Sequence, residues 1–173
     1  MNRLLIVACS GRKFKKKTLT SAFELYDGVN YRVIKKTFRE QRRPDNLTIK
    51  ILSAKYGLID ETFPITNYDV RFNKTTAKER NTETINRLKS LDPIPDEIFV
   101  NLGKTYLLAT SGINDIFTDT NITYAKGGIG TKMKEMKNWL VSLYWNMNQR
   151  LNRFKHSFTK NMRISIIWKL SCK

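Results

Sequence analysis

From Leu4 to Ala8 the chain runs Leu-Leu-Ile-Val-Ala without a polar residue, then changes abruptly to Cys9-Ser10-Gly11-Arg12-Lys13. A strand that is apolar at every position is buried on both faces, the condition of a strand inside a mostly parallel sheet with helices above and below. The run therefore predicts an α/β fold whose first strand lies in the middle of the sheet. In open α/β sheets ligands sit off the carboxyl ends of the strands. Cys9, Ser10, Arg12 and Lys13 stand at that point and are candidate site residues. The competing reading is a buried thiol, an ordinary Ser-Gly turn and a solvated basic run.

A second stretch, Thr48-Ile49-Lys50-Ile51-Leu52-Ser53-Ala54-Lys55-Tyr56-Gly57-Leu58-Ile59, repeats the arrangement: an apolar strand that ends in a hydroxyl, a lysine and a glycine. Between the two strands, hydroxyls over 18–21 offer a cap to a helical turn at 22–26. Gly28 interrupts it, and Tyr31, Ile34 and Phe38 then share one helical face. The unit reads as βαβ with a right-handed crossover. Residues 60–73 are expected to form a long loop over the rim of the site, carrying Tyr68 and Asp69. A helix is predicted over 76–91, a third buried strand over 97–103, the start of a helix over 104–111 and a short strand over 121–124.

Lys126-Gly127-Gly128-Ile129-Gly130-Thr131-Lys132-Met133 reads as a glycine-rich turn that opens a helix running to about residue 145. Glycines admit an anion to the backbone amides and a helix start adds partial positive charge, so Gly127, Gly128, Gly130 and Lys132 are candidate phosphate contacts. A turn that serves only the fold is the alternative. The spacing is not that of a nucleoside-triphosphate loop, because no glycine stands five residues before a Gly-Lys pair.

Thirty-two Lys and Arg against fifteen Asp and Glu give a formal charge of +17. Such an excess attracts polyanions and makes nucleic acid the expected partner, DNA first and RNA as the alternative; codon bias toward Lys and Asn is the bland account. Residues 136–173 hold eight Lys or Arg and no acid, with Phe154, Phe158 and Trp168 among them. The expected organisation is a domain over 1–148 and a basic, aromatic, helical tail over 149–173, suited to nucleic acid, to packing on the domain, or to an anionic membrane surface. No apolar run is long enough to span a bilayer. Only eight residues precede Cys9, too few for a secretory signal, so the cytoplasm is the expected compartment. Two cysteines at opposite ends and one histidine, His156, form no metal-ligand pattern; neither metal nor cofactor is expected.

Taken in order, Cys9-Ser10 with Lys13, Leu25-Tyr26-Asp27-Gly28, Ile51-Leu52-Ser53-Ala54-Lys55-Tyr56-Gly57-Leu58 and Tyr68-Asp69 resemble the serial motifs of the YaaA-like peroxide-stress family and its small phage and bacterial relatives of unassigned function. The resemblance covers about residues 1–143. It implies a mixed α/β fold, a basic cleft and DNA binding, and some relatives resemble nucleic-acid glycosylases.

With the one histidine in the tail, a Ser-His-Asp arrangement is excluded and acid-base work falls to carboxylates, lysine, tyrosine or the thiol. Breaking an N-glycosidic bond builds positive charge on the sugar, which a carboxylate stabilises. Asp69 with Tyr68 would take that role, with Cys9 and Ser53 beside them on the catalytic rim. Ser10, Arg12, Lys13, Lys55, Tyr56 and Gly57 would hold phosphate or base, and aromatic rings could stack a flipped nucleotide. Asp69 as a plain turn residue is the competing reading. The expectation is a DNA glycosylase-like enzyme. A non-catalytic DNA-binding stress or defence protein and an enzyme handling small nucleotides remain open.

Overall fold

The computed structural model describes residues 1–15 and 18–145. In chain order the elements are β1 (Arg3–Ala8), β2 (Thr20–Ser21), α1 (Ala22–Leu25), α2 (Val29–Glu40), β3 (Leu47–Ser53), β4 (Gly57–Asp60), β5 (Pro64–Ile65), α3 (Lys74–Glu79), α4 (Asn81–Lys89), β6 (Glu97–Asn101), α5 (Lys104–Leu107), a 3₁₀ turn (Leu108–Thr110), α6 (Ile113–Ile116), β7 (Asn121–Tyr124) and α7 over 129–145. Five strands form one sheet in the order β4-β3-β1-β6-β7. The β3/β1, β1/β6 and β6/β7 pairs are parallel, and β4 alone is antiparallel. The fold is mixed α/β with a mostly parallel sheet flanked by helices, and the first strand is central, as its unbroken apolar run requires.

That run is two alternating sets of side chains, one for each layer. Leu5 and Val7 join Tyr26, Tyr31 and Ile34 of the α1–α2 segment and Met136, Trp139, Leu140 and Leu143 of α7 in one core. Leu4 and Ile6 face the other way, against Ala77, Leu88, Ala109, Ile113 and Phe117 of the α3–α6 layer. Both sides of the sheet are covered.

Three elements depart from the sequence-based expectation. Residues 57–60 turn back as an antiparallel edge strand, because Gly57 adopts φ 71°, a left-handed conformation that closes a tight hairpin after Ser53. The helix expected over 76–91 starts two residues earlier, at a capping box between Asn73 and Thr76, and is divided at Arg80. There an Arg80 guanidinium nitrogen reaches the Lys55 carbonyl, 3.1 Å away, and ties the joint to the β3–β4 hairpin. The loop over 60–73 is anchored: β5 pairs with β2, and the Ala22 and Phe23 amides donate to the Phe63 and Glu61 carbonyls, each at 2.9 Å. The tail over 149–173, with His156 and Cys172, lies outside the described residues. Among the described residues no helix is long and apolar enough to cross a membrane.

Candidate functional site at the carboxyl edge of the sheet

β3, β1, β6 and β7 are parallel, so they end on one edge. From β1 the chain passes to β3 through α1 and α2 on one face; from β6 it passes to β7 through α5 and α6 on the other. Adjacent strands whose connections diverge leave a crevice between their carboxyl ends. Cys9 and Ser10 stand on one side of it. Asn101, buried, stands on the other, its amide 3.4 Å from Asn30 at the start of α2.

Above the end of β3, three hydroxyls meet. Tyr68 OH lies 2.8 Å from Ser53 Oγ and 2.5 Å from Tyr26 OH, and Tyr26 OH donates to Ser53 Oγ over 3.5 Å. Ser53 Oγ also accepts the Lys55 and Tyr56 amides, each at 3.2 Å. The two amides are thus engaged within the hairpin that Gly57 closes, and Ser53 ties the hairpin to Tyr68. Lys13 Nζ donates to the Tyr68 carbonyl at 2.9 Å and lies 4.1 Å from the centre of the Tyr68 ring. Tyr56 meets the same ring edge-on at 5.4 Å, with Lys55 Nζ 5.1 Å from the Tyr56 ring. On the β6 side, Cys9 Sγ is 3.3 Å from Tyr106 OH, and Tyr106 stacks on Phe72.

Burial pushes the Tyr26 phenol up to about 12 and raises Tyr68 and Tyr106 further, with the neighbouring Cys9 adding to each. At neutral pH all three are protonated and able to donate. Burial lowers Lys13, and the nearby Cys9 and Asp69 partly restore it. Cys9, Lys13, Tyr26 and Tyr68 thus lie within electrostatic range of one another.

Asp69 is exposed, near enough to Lys13 for its charge to raise the Lys13 pKa slightly against burial. Arg12 and Ser10 lie on the neighbouring turn, where the Arg12 amide donates to Ser10 Oγ at 3.1 Å. Gly127, Gly128, Gly130 and Lys132 follow β7, on the same edge but two strands from β1, a displacement of about 10 Å at the usual strand spacing. Lys132 Nζ binds the Leu102 carbonyl at 2.7 Å and fastens that turn to the end of β6. Among the described residues no group of three or more His, Cys, Asp or Glu is placed to hold a metal ion.

Sequence reasoning assigned no role to Tyr26, Asp27, Gly28, Arg32, Asn101 or Tyr106. The first three were visible as the Leu-Tyr-Asp-Gly motif. Tyr106 carried no signal, since its partner Cys9 is 97 positions away.

Residues 4–138 match a family model described as a family of unknown function, DUF6884. The chain belongs to this family. DUF6884 thus matches the expectation of a family of unassigned function. No curated protein matches the chain. Among solved structures, the chain is similar to one titled "Crystal structure of AF0587, a protein of unknown function", at 11% identity and a TM-score of 0.45, over 80% of this chain. The chain spans 44% of that protein's length.

Proposed function

We propose that this DUF6884 protein binds DNA along the carboxyl edge of its sheet and acts there on one nucleotide as a DNA glycosylase-like enzyme. The observation that carries the reading is the Tyr26–Ser53–Tyr68 hydroxyl cluster under Lys13, beside Tyr56, Lys55 and Cys9, in a chain of charge +17. The half-buried rings of Tyr56 and Tyr68 suit a flipped base, which offers a π face and hydrogen-bonding edges, while the fully buried Tyr26 and Ser53 hold Tyr68 in place. Lysines suit the flanking phosphates. The bond broken is that from the sugar C1′ to the base nitrogen, and its electron pair leaves with the base, neutralised by a proton or by the Lys13 ammonium. Asp69 faces the positive charge that develops on the sugar, water adds to C1′, and its proton passes to the carboxylate. The resemblance to the YaaA-like family and a cytoplasmic location belong to this reading.

A second reading has its own observation. Asp69 is exposed and Asp27 is engaged by arginines, an arrangement that favours a non-catalytic DNA-binding stress or defence protein. One experiment separates the two. Wild type and Asp69→Asn are incubated with DNA carrying modified, damaged and mismatched bases, and free base, abasic sites and affinity at several salt concentrations are measured. The enzyme reading expects base release that Asp69→Asn abolishes with affinity kept, since the carboxylate acts on the transition state. Steep salt-dependent binding without base release selects the second reading, and a flat salt profile overturns both.

A further inference from the structure

We infer that Arg12 and Arg32, aligned by the carboxylate of Asp27, form a clamp for one phosphate group beside the rim site. The inference rests on the nucleic-acid reading above and adds to it a site, a positioning residue and a ligand class. Arg32 Nε and Nη2 donate to the two Asp27 oxygens at 3.0 and 2.7 Å. Arg12 Nε meets the same carboxylate at 2.9 Å. The carboxylate is 10% exposed, whereas the Arg12 and Arg32 side chains are 68% and 51% exposed.

Ion pairs between exposed groups contribute little to stability. What the arrangement does is geometric. A guanidinium has five N–H donors; Arg32 spends two on Asp27 and Arg12 spends Nε, leaving the other donors in a fixed orientation. Two guanidiniums on one carboxylate also leave a net positive charge, and planar, oriented guanidiniums match phosphate oxygens. The hydrogen bonds from Arg32 hold the Asp27 carboxyl below its usual range, so the alignment persists across neutral pH.

The backbone joins the clamp to the site. Lys13 and Tyr26 form an antiparallel bridge, flanked by the Asp27 amide bonding the Arg12 carbonyl at 3.0 Å and the Phe14 amide bonding the Leu25 carbonyl at 2.9 Å. Successive side chains on such a strip point to opposite faces. Lys13 and Tyr26 turn to the hydroxyl cluster, and Arg12 and Asp27 to the outer side. A strand whose base lies against the half-buried rings of Tyr56 and Tyr68, beside the cluster, carries its phosphates across this strip.

The test uses the full chain with a labelled mixed-sequence single-stranded oligonucleotide and, separately, a free nucleoside monophosphate. Asp27→Asn adds one positive charge, so attraction by charge alone requires tighter binding, whereas the clamp requires weaker binding, by about fivefold or more for a lost charge-assisted contact. Arg32→Lys keeps the charge and loses the fork; the clamp expects it to weaken binding as well. If Asp27→Asn fails to fold in a thermal melt, Arg32→Lys decides. Oligonucleotide binding weakened by these variants assigns the clamp to a polynucleotide phosphate. Mononucleotide binding weakened by them, with oligonucleotide binding unchanged, assigns it to a free nucleotide. Unchanged or tighter binding of both ligands by the variants overturns the clamp alone, and absence of any wild-type binding overturns the nucleic-acid reading and the clamp with it.

Discussion

Gly28 has an ordinary backbone conformation, φ −75°, yet a Cβ built there would stand 2.2 Å from Ser10 Oγ and 2.8 Å from Ser10 Cβ. The glycine is there for clearance: it lets the start of α2 abut the turn after β1, which sets Ser10, Asp27 and Tyr26 beside one another. Gly28→Ala should lower stability by about 1–3 kcal/mol, the usual cost of overpacking. Adding Ser10→Gly should restore most of it, because that change removes both clashing atoms. Paired melting curves of the single and double variants check this, and an unrescued double variant would show that the strain lies elsewhere. This is also where the sequence was least readable: Leu25-Tyr26-Asp27-Gly28 was recognisable as a motif, but its meaning depends on Ser10, Arg12, Arg32 and Ser53, which only the fold brings together. Cys9 and Tyr106 make the same point across the crevice.

Elements were legible in proportion to their apolar patterning. β1 and β6 announced themselves because burial on both faces demands uninterrupted apolar residues, and β3, next to the antiparallel edge strand, by alternating apolar and polar positions that close in an apolar pair. The pair β2–β5 is two residues long on each side, too short to carry a period, and so residues 60–73 looked unstructured. Yet this pair positions the candidate site, since it holds the segment that delivers Tyr68 to Ser53. Ile65, fully buried, pins the pair to the α2-side core. Ile65→Ala should cost about 2–5 kcal/mol. Hydrogen exchange offers a sharper measurement: the Ala22 and Phe23 amides, which donate to Phe63 and Glu61, should lose protection before those of β1. Simultaneous loss throughout would mean that the clasp has no separate existence.

For the whole molecule, the balance of titrating groups predicts how it fails in alkali. Tyr26, Tyr31, Tyr68 and Tyr106 are all raised, chiefly by burial. A phenol whose folded value lies above its unfolded value stabilises the fold below pH 10 and loses that contribution as pH climbs through the folded value, about 12 for Tyr26. Tyr124 and Tyr144 are raised by burial too, and Lys13, lowered by burial, works in the opposite direction below its ordinary 10.5, as one group against six. Melting temperature should therefore fall from about pH 10 upward, with phenolate absorbance from the buried tyrosines appearing together with unfolding. Titration of all the tyrosines at an ordinary value in a fold that stays intact would contradict the packing described.

The strand order carries a consequence for how the molecule is made. Its central strand leaves the ribosome ahead of both its neighbours: one, Leu47–Ser53, comes some forty residues later and the other, Glu97–Asn101, about ninety. Until then the most apolar segment of the nascent chain has two unpaired edges, the condition under which strands find wrong partners. A newly synthesised copy is thus most exposed to misassembly before residue 101 has emerged, and slowing translation ahead of that point should lower its soluble yield.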